Sequence, residues 1–91
     1  MITWDQGKRL ITIKRHGIDL AGCEPFFDSR LITKEDDREV YGEQRLQSYG
    51  LLHGIVVLVV WVEREHGPHI VSARKAKRHE RAYYFKTVRY D

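Results

Sequence analysis

The 91-residue sequence holds one cysteine, two prolines and one methionine. A lone cysteine, Cys23, excludes an intrachain disulfide and fits a reducing compartment, so a cytoplasmic location is expected. Long apolar runs are also missing. The longest, Ile55 to Val62, has the length of a buried strand, whereas a membrane-crossing helix needs about 20 apolar residues. No basic-then-apolar leader opens the chain, so neither a secretory signal nor a membrane role is expected. There is no P-loop, dinucleotide fingerprint or nucleophile elbow. His66, His69 and His79 combine with Cys23 at no metal-site spacing, so no metal and no cofactor are expected. Repeats, low-complexity tracts and Pro/Ser-rich linkers are absent too, and residues 1–91 read as a single domain with one modest core.

What is present is a globular balance, 42% hydrophobic and 32% charged. The charge is uneven. Residues 63–91 carry 8 Lys/Arg against 4 Asp/Glu, while residues 1–62 carry 8 against 9. A basic last third points to an anionic partner, nucleic acid or an acidic protein surface; a solvated basic helix explains it as well.

Periodicity and punctuation place the elements. Thr3 reads as the N-cap of a first helix, with Gln6 reaching back, Asp5 in the first turn, and Trp4 and Ile11 on one face. Gly17 stops that helix. A short helix follows from Asp19, shortened or bent by Pro25. Strands are expected over Arg30–Glu35, Leu46–Leu52, Ile55–Val62 and His69–Ser72, with a compact turn at His53-Gly54. Ser72 then caps a last helix from about Ala73, and the tail from Tyr83 to Tyr90 either prolongs it or lies extended. The order predicts an α+β domain: N-terminal helices, an antiparallel sheet of three to four strands and a C-terminal helix, the helices packed on one face.

Several residues carry candidate chemistry. Ser72-Ala73-Arg74-Lys75-Ala76-Lys77-Arg78 puts cations at a strand-to-helix junction, where unpaired N–H groups and arginine forks suit a phosphate. A solvated basic turn is the plainer account. His16, at a helix C-terminus, is either a proton carrier or a capping side chain. Arg45 heads one strand. Arg64 ends another between Glu63 and Glu65, where a simple ion pair is the plainer reading. In an antiparallel meander Arg45 and Arg74 can converge on one phosphate. The acidic run from Glu35 reads as a solvated loop.

In order along the chain, Trp4-Asp5 with Lys8, Lys14-Arg15-His16-Gly17-Ile18, Phe27-Asp28, Glu35-Asp36-Asp37-Arg38-Glu39, Tyr41-Gly42-Glu43-Gln44-Arg45, Gly50-Leu51-Leu52-His53-Gly54 and Ile70 to Ala76 resemble the BrnT family. The likeness runs to about Glu80. It implies a fold related to RelE-type toxins and a metal-independent ribonuclease that cleaves RNA and arrests translation. It also implies a DNA-binding antitoxin of the BrnA type, usually in a 2:2 complex that reaches operator DNA only through the antitoxin. The family's strongest positions fall on His16, Arg45, Ser72, Arg74 and Ala76. His16, Arg45 and Arg74 are thereby the expected catalytic residues; the basic residues Lys75, Lys77, Arg78 and Arg64 are the expected RNA-binding cations. Gly22 and Pro25 interrupt a second helix that is usually Ala-rich in the family, and the aromatic tail after Arg81 lies outside the shared pattern. The rival function is a non-catalytic basic module that binds nucleic acid or an acidic protein.

Overall fold

A computed structural model describes residues 1–89, so Tyr90 of the aromatic tail lies outside the described residues. The elements are β1 (Thr3–Trp4), α1 (Gln6–His16), β2 (Ile32–Glu35), β3 (Leu46–Leu52), β4 (Ile55–Arg64), β5 (Gly67–Lys75) and α2 (Arg78–Val88), with two 3-10 turns at Leu20–Gly22 and Glu24–Asp28. The strands form one sheet in the order β1-β5-β4-β3-β2. Neighbours pair antiparallel except β1, which runs parallel to β5 with Thr3 opposite His69 and Trp4 opposite Ile70. The α+β class is as expected, with one short strand more and a mixed sheet.

The apolar run in β4 dictates the layering. A strand apolar at successive positions must be covered on both faces. Val57 and Val59 point into one core with Leu20, Cys23, Phe26, Ile70 and Ala73, roofed by the 3-10 turns. Val56 points the other way, into a second core with Ala76 and Tyr84 of α2. The helical segments therefore do not share one face, as the sequence suggested. Burial pushes the Cys23 thiol up to about 11, which makes it a packing residue. The buried Ser48 is satisfied by Thr33 Oγ1 at 2.7 Å and by Trp61 Nε1, which donates at 2.9 Å.

Besides two-residue shifts at the start of β2, the end of β4 and the start of β5, three boundaries differ from the sequence reading in ways that bear on the site. Asp5, not Thr3, caps α1, accepting from Lys8 N–H at 3.0 Å. Thr3 is drawn into β1, where its hydroxyl contacts His66 Nε2 and His69 Nδ1, and Trp4 packs on the first core while Ile11 stays exposed. Gly17 ends α1 in the left-handed region (φ 67°) as expected. β5 runs on through Ala73, Arg74 and Lys75, which pair with Val59, Leu58 and Val57. The long β4 offers ladder partners there, and that pairing overrides the helix preference of the basic run. α2 begins only at Arg78, and its far end absorbs the aromatic tail as helix to Val88. Among the described residues no helix is long and apolar enough to cross a membrane.

Candidate functional site

Register builds the floor of the main cleft. One row across the sheet is Ile32, Tyr49, Leu58, Arg74; two residues along each strand lies a second row, Lys34, Gln47, Val60, Ser72. Side chains two apart on a strand share a face, so both rows point to the side of α2. Seven of these eight residues line a cleft of about 890 Å³. Its wall is α1, through Lys8, Ile11, Thr12 and Arg15, the i, i+3, i+4, i+7 stripe of one helical face, and His16 at the helix end. Five cations (Lys8, Arg15, Lys34, Arg38, Arg74) face three carboxylates (Glu35, Asp37, Glu80), so the cleft suits an anion.

At its centre is a fixed charge network. Arg74 donates from Nη1 and Nη2 to the two oxygens of Glu80 at 2.8 and 3.0 Å. Tyr49 donates its hydroxyl to Glu80 Oε2 at 2.5 Å, and Lys77 N–H donates to Oε1 at 2.7 Å. Glu80 thus accepts four hydrogen bonds. The Arg74 guanidinium, aided by Lys77 and Tyr49, holds its carboxyl far below the usual carboxylate range. Burial and the Glu80 carboxylate push the Tyr49 hydroxyl up to about 12, so it stays a proton donor. A guanidinium clamped on one side presents its remaining N–H groups in a set orientation, the preorganisation that charge stabilisation requires.

Arg38, at the rim, clamps the buried Asp36 in the same forked way, at 2.7 and 2.8 Å. The Arg38 hydrogen bonds lower the Asp36 carboxyl to about 2. That lies below the value of about 3.9 for a free aspartate, so ionised Asp36 stabilises the fold at neutral pH. The contribution is lost as pH falls from about 4 through about 2. Asp36→Asn is therefore expected to lower stability at pH 7 and to flatten the acid side of the stability curve. Urea midpoints between pH 7 and 2 check this; curves that run parallel for both proteins would contradict it.

The structure brings His16 and Arg74 into the same cleft, from α1 and β5. It does not bring Arg45 there. Arg45 stacks on Tyr41 at 4.0 Å, with its Nε buried and lacking a hydrogen-bond partner among the described residues. It precedes Tyr49 by four residues, about 13 Å along the strand, and Arg74 lies two strand spacings of about 4.8 Å further. Lys75 falls in the next register position after Arg74 and so on the other face of the sheet, beside Leu52 and Val57. Lys77 and Arg78 are exposed at the start of α2. Arg64, at the far end of β4, forms an ion pair as the plainer reading expected, but with Glu43 at 3.3 Å and not with its sequence neighbours Glu63 and Glu65. Arg74 is on a strand, not in the first turn of a helix.

Sequence reading missed Lys34, Arg38, Tyr49 and Glu80 as cleft residues. The alternation of β2 and β3 puts Lys34 with Ile32 and Gln47 with Tyr49, a signal that was available. Glu80 carried none, because its partner six residues earlier belongs to a different element. No three His, Cys, Asp or Glu side chains gather as a metal site among the described residues.

The family model described as "Ribonuclease toxin, BrnT, of type II toxin-antitoxin system" matches residues 4–80. No curated protein matches the sequence.

Proposed function

The chain belongs to the BrnT family of ribonuclease toxins of type II toxin–antitoxin systems, and from that premise we propose that it cleaves RNA in the α1–β5 cleft without a metal and so halts translation. The observation that carries this is the meeting of His16 with a clamped Arg74 in one cationic cleft. The ribose 2′-hydroxyl attacks the adjacent phosphorus and the bond to the 5′-oxygen breaks, leaving a 2′,3′-cyclic phosphate and a 5′-hydroxyl. Arg74 binds the phosphate and the charge that develops on it. His16 moves a proton to or from one of the reacting oxygens. Lys8, Arg15 and Lys34 draw in the backbone. Lys77 and Arg78 extend that path over the start of α2. DNA, which lacks the 2′-hydroxyl, is not a substrate.

The test is incubation of the purified protein with RNA in EDTA. Cleavage to cyclic-phosphate ends is expected, with DNA of the same sequence intact. His16→Asn is expected to slow cleavage by about 10², the lower end for a proton-transfer group, because the ring is exposed. Salt-dependent RNA binding with no cleavage would instead identify a binding module.

The proposed partner is a DNA-binding antitoxin of the BrnA type that covers the cleft's cations, in a complex with two copies of each chain, acting in the cytoplasm. Operator DNA would be reached only through that antitoxin. The co-expressed complex is expected to leave RNA uncut; a complex as active as the free chain would refute masking.

A further inference from the structure

Next to the cleft lies a second cavity of about 380 Å³, which shares Lys34, Gln47, Tyr49 and Glu80 with it. Its outer wall is α2, through His79 and Tyr83. These residues are four apart, hence neighbours on one helical face. Tyr83 is 53% exposed, a large ring turned to solvent instead of into the core that takes its neighbour Tyr84. Thr33 lines the opposite wall, yet its hydroxyl is engaged with Ser48 on the other face of the sheet. What it offers the cavity is therefore backbone. β2 is an edge strand, so the N–H and C=O groups on its outer side are free of the ladder.

We propose that this cavity takes one nucleobase of single-stranded RNA, stacked on Tyr83 with His79 alongside, while the neighbouring phosphate sits in the cleft at Arg74. The inference rests on the ribonuclease reading of the cleft and adds to it a binding subsite. The shared wall is the argument. A nucleotide carries a charged group and a flat ring joined by a sugar, and here a cationic cleft and an aromatic-walled cavity are joined by Lys34, Gln47, Tyr49 and Glu80. Unpaired bases stack on Tyr and His rings, and their edges bond to backbone groups. A base held in a duplex must first be unstacked and unpaired to enter such a cavity, a cost that favours a single-stranded substrate. Edge contacts to β2 would make the nucleotide at this position the one whose identity matters.

The experiment uses a ten-nucleotide single-stranded RNA containing a cleavage position, and the same RNA with a 2′-deoxy sugar there to block the reaction. Binding is read by fluorescence anisotropy and cleavage on gels, with thermal melts to verify folding. Tyr83→Ala is expected to weaken binding of the blocked RNA about tenfold, within the range for loss of one stacked base. Tyr83→Phe, which keeps the ring, is expected to bind like the wild type. Removing the base at one nucleotide flanking the cut should erase the difference between Tyr83→Ala and wild type. A wild type that cleaves while Tyr83→Ala binds and cleaves equally well overturns the subsite and leaves the ribonuclease intact. So does a Tyr83→Ala defect that survives removal of either flanking base, the result expected if the ring serves a protein partner. A folded wild type that neither binds nor cuts the RNA overturns both.

Discussion

Arg74→Lys is expected to give a folded protein whose RNA cleavage is slower by about 10²–10³, the loss associated with one preorganised charge donor. The reason is geometric. Arg74 meets both oxygens of Glu80 with two nitrogens, at 2.8 and 3.0 Å, and still has N–H groups to offer a phosphate. A lysine ammonium is a point charge on a flexible stem. It can satisfy Glu80 or reach into the cleft, but it cannot hold a fork in a fixed plane. Arg74→Ala is a poorer probe, because Glu80 then loses two of its four hydrogen bonds and the junction between β5 and α2 loosens. Glu80→Gln keeps the shape and frees the guanidinium, so its cleavage loss should be smaller than that of Arg74→Lys. Single-turnover rates with melting curves separate these cases, and a near-normal rate for Arg74→Lys would remove Arg74 from the chemistry. Because Arg45 sits elsewhere, stacked on Tyr41, any loss from Arg45→Ala should multiply with that from Arg74→Lys.

What the sequence disclosed follows a physical pattern. Signals local in the chain came through: the left-handed stop at Gly17, the limits Leu46–Leu52, the turn at His53-Gly54, where both residues have positive φ, and the buried strand from Ile55. Errors arose where a distant partner decides. Thr3 reads as a helix cap until His69 gives it a strand to pair with. Arg74 reads as helix until Leu58 fixes it in β5. The two-sided covering of the sheet was implicit in the unbroken apolar run of β4, since such a run cannot serve one face alone.

The site divides along the same line. His16 and Arg74 were identified by residue type and motif order, and they lie in one cleft. The pairing of Arg45 with Arg74 rests on strand ends alone, and register sets the two apart: the ladder puts Arg74 opposite Leu58 and Tyr49, well along β3 from Arg45. Lys75 shows how sharply alternation selects, for a single residue step carries it to the opposite face from Arg74. Glu80 stayed hidden because its role depends on α2 lying against the sheet, a fact of packing that no local pattern encodes.

That packing leads to the largest expected effect on stability. Tyr84→Ala should destabilise the protein by about 3–5 kcal/mol, the range for truncating a fully buried large aromatic side chain. Tyr84 is the principal anchor of α2: its ring fills the second core with Val56 and Ala76, and its hydroxyl donates to the Arg30 carbonyl at 2.6 Å. Glu80 lies one turn before it on the same helical face, and Val88 one turn after. A loosened α2 therefore withdraws Glu80 from Arg74 and Tyr49 while leaving every cleft side chain in the sequence. Tyr84→Phe keeps the ring and loses the hydroxyl, so it should cost only about 1 kcal/mol for the hydrogen bond, more if the Arg30 carbonyl is left dry. Urea unfolding gives both values, and cleavage assayed well below the midpoint tests the coupling. If α2 holds the site together, Tyr84→Ala lowers the cleavage rate even where it is fully folded, whereas Tyr84→Phe does not. A Tyr84→Ala protein that is destabilised yet cleaves at the wild-type rate would show that Arg74 keeps its orientation without Glu80, and the clamp would lose its part in catalysis.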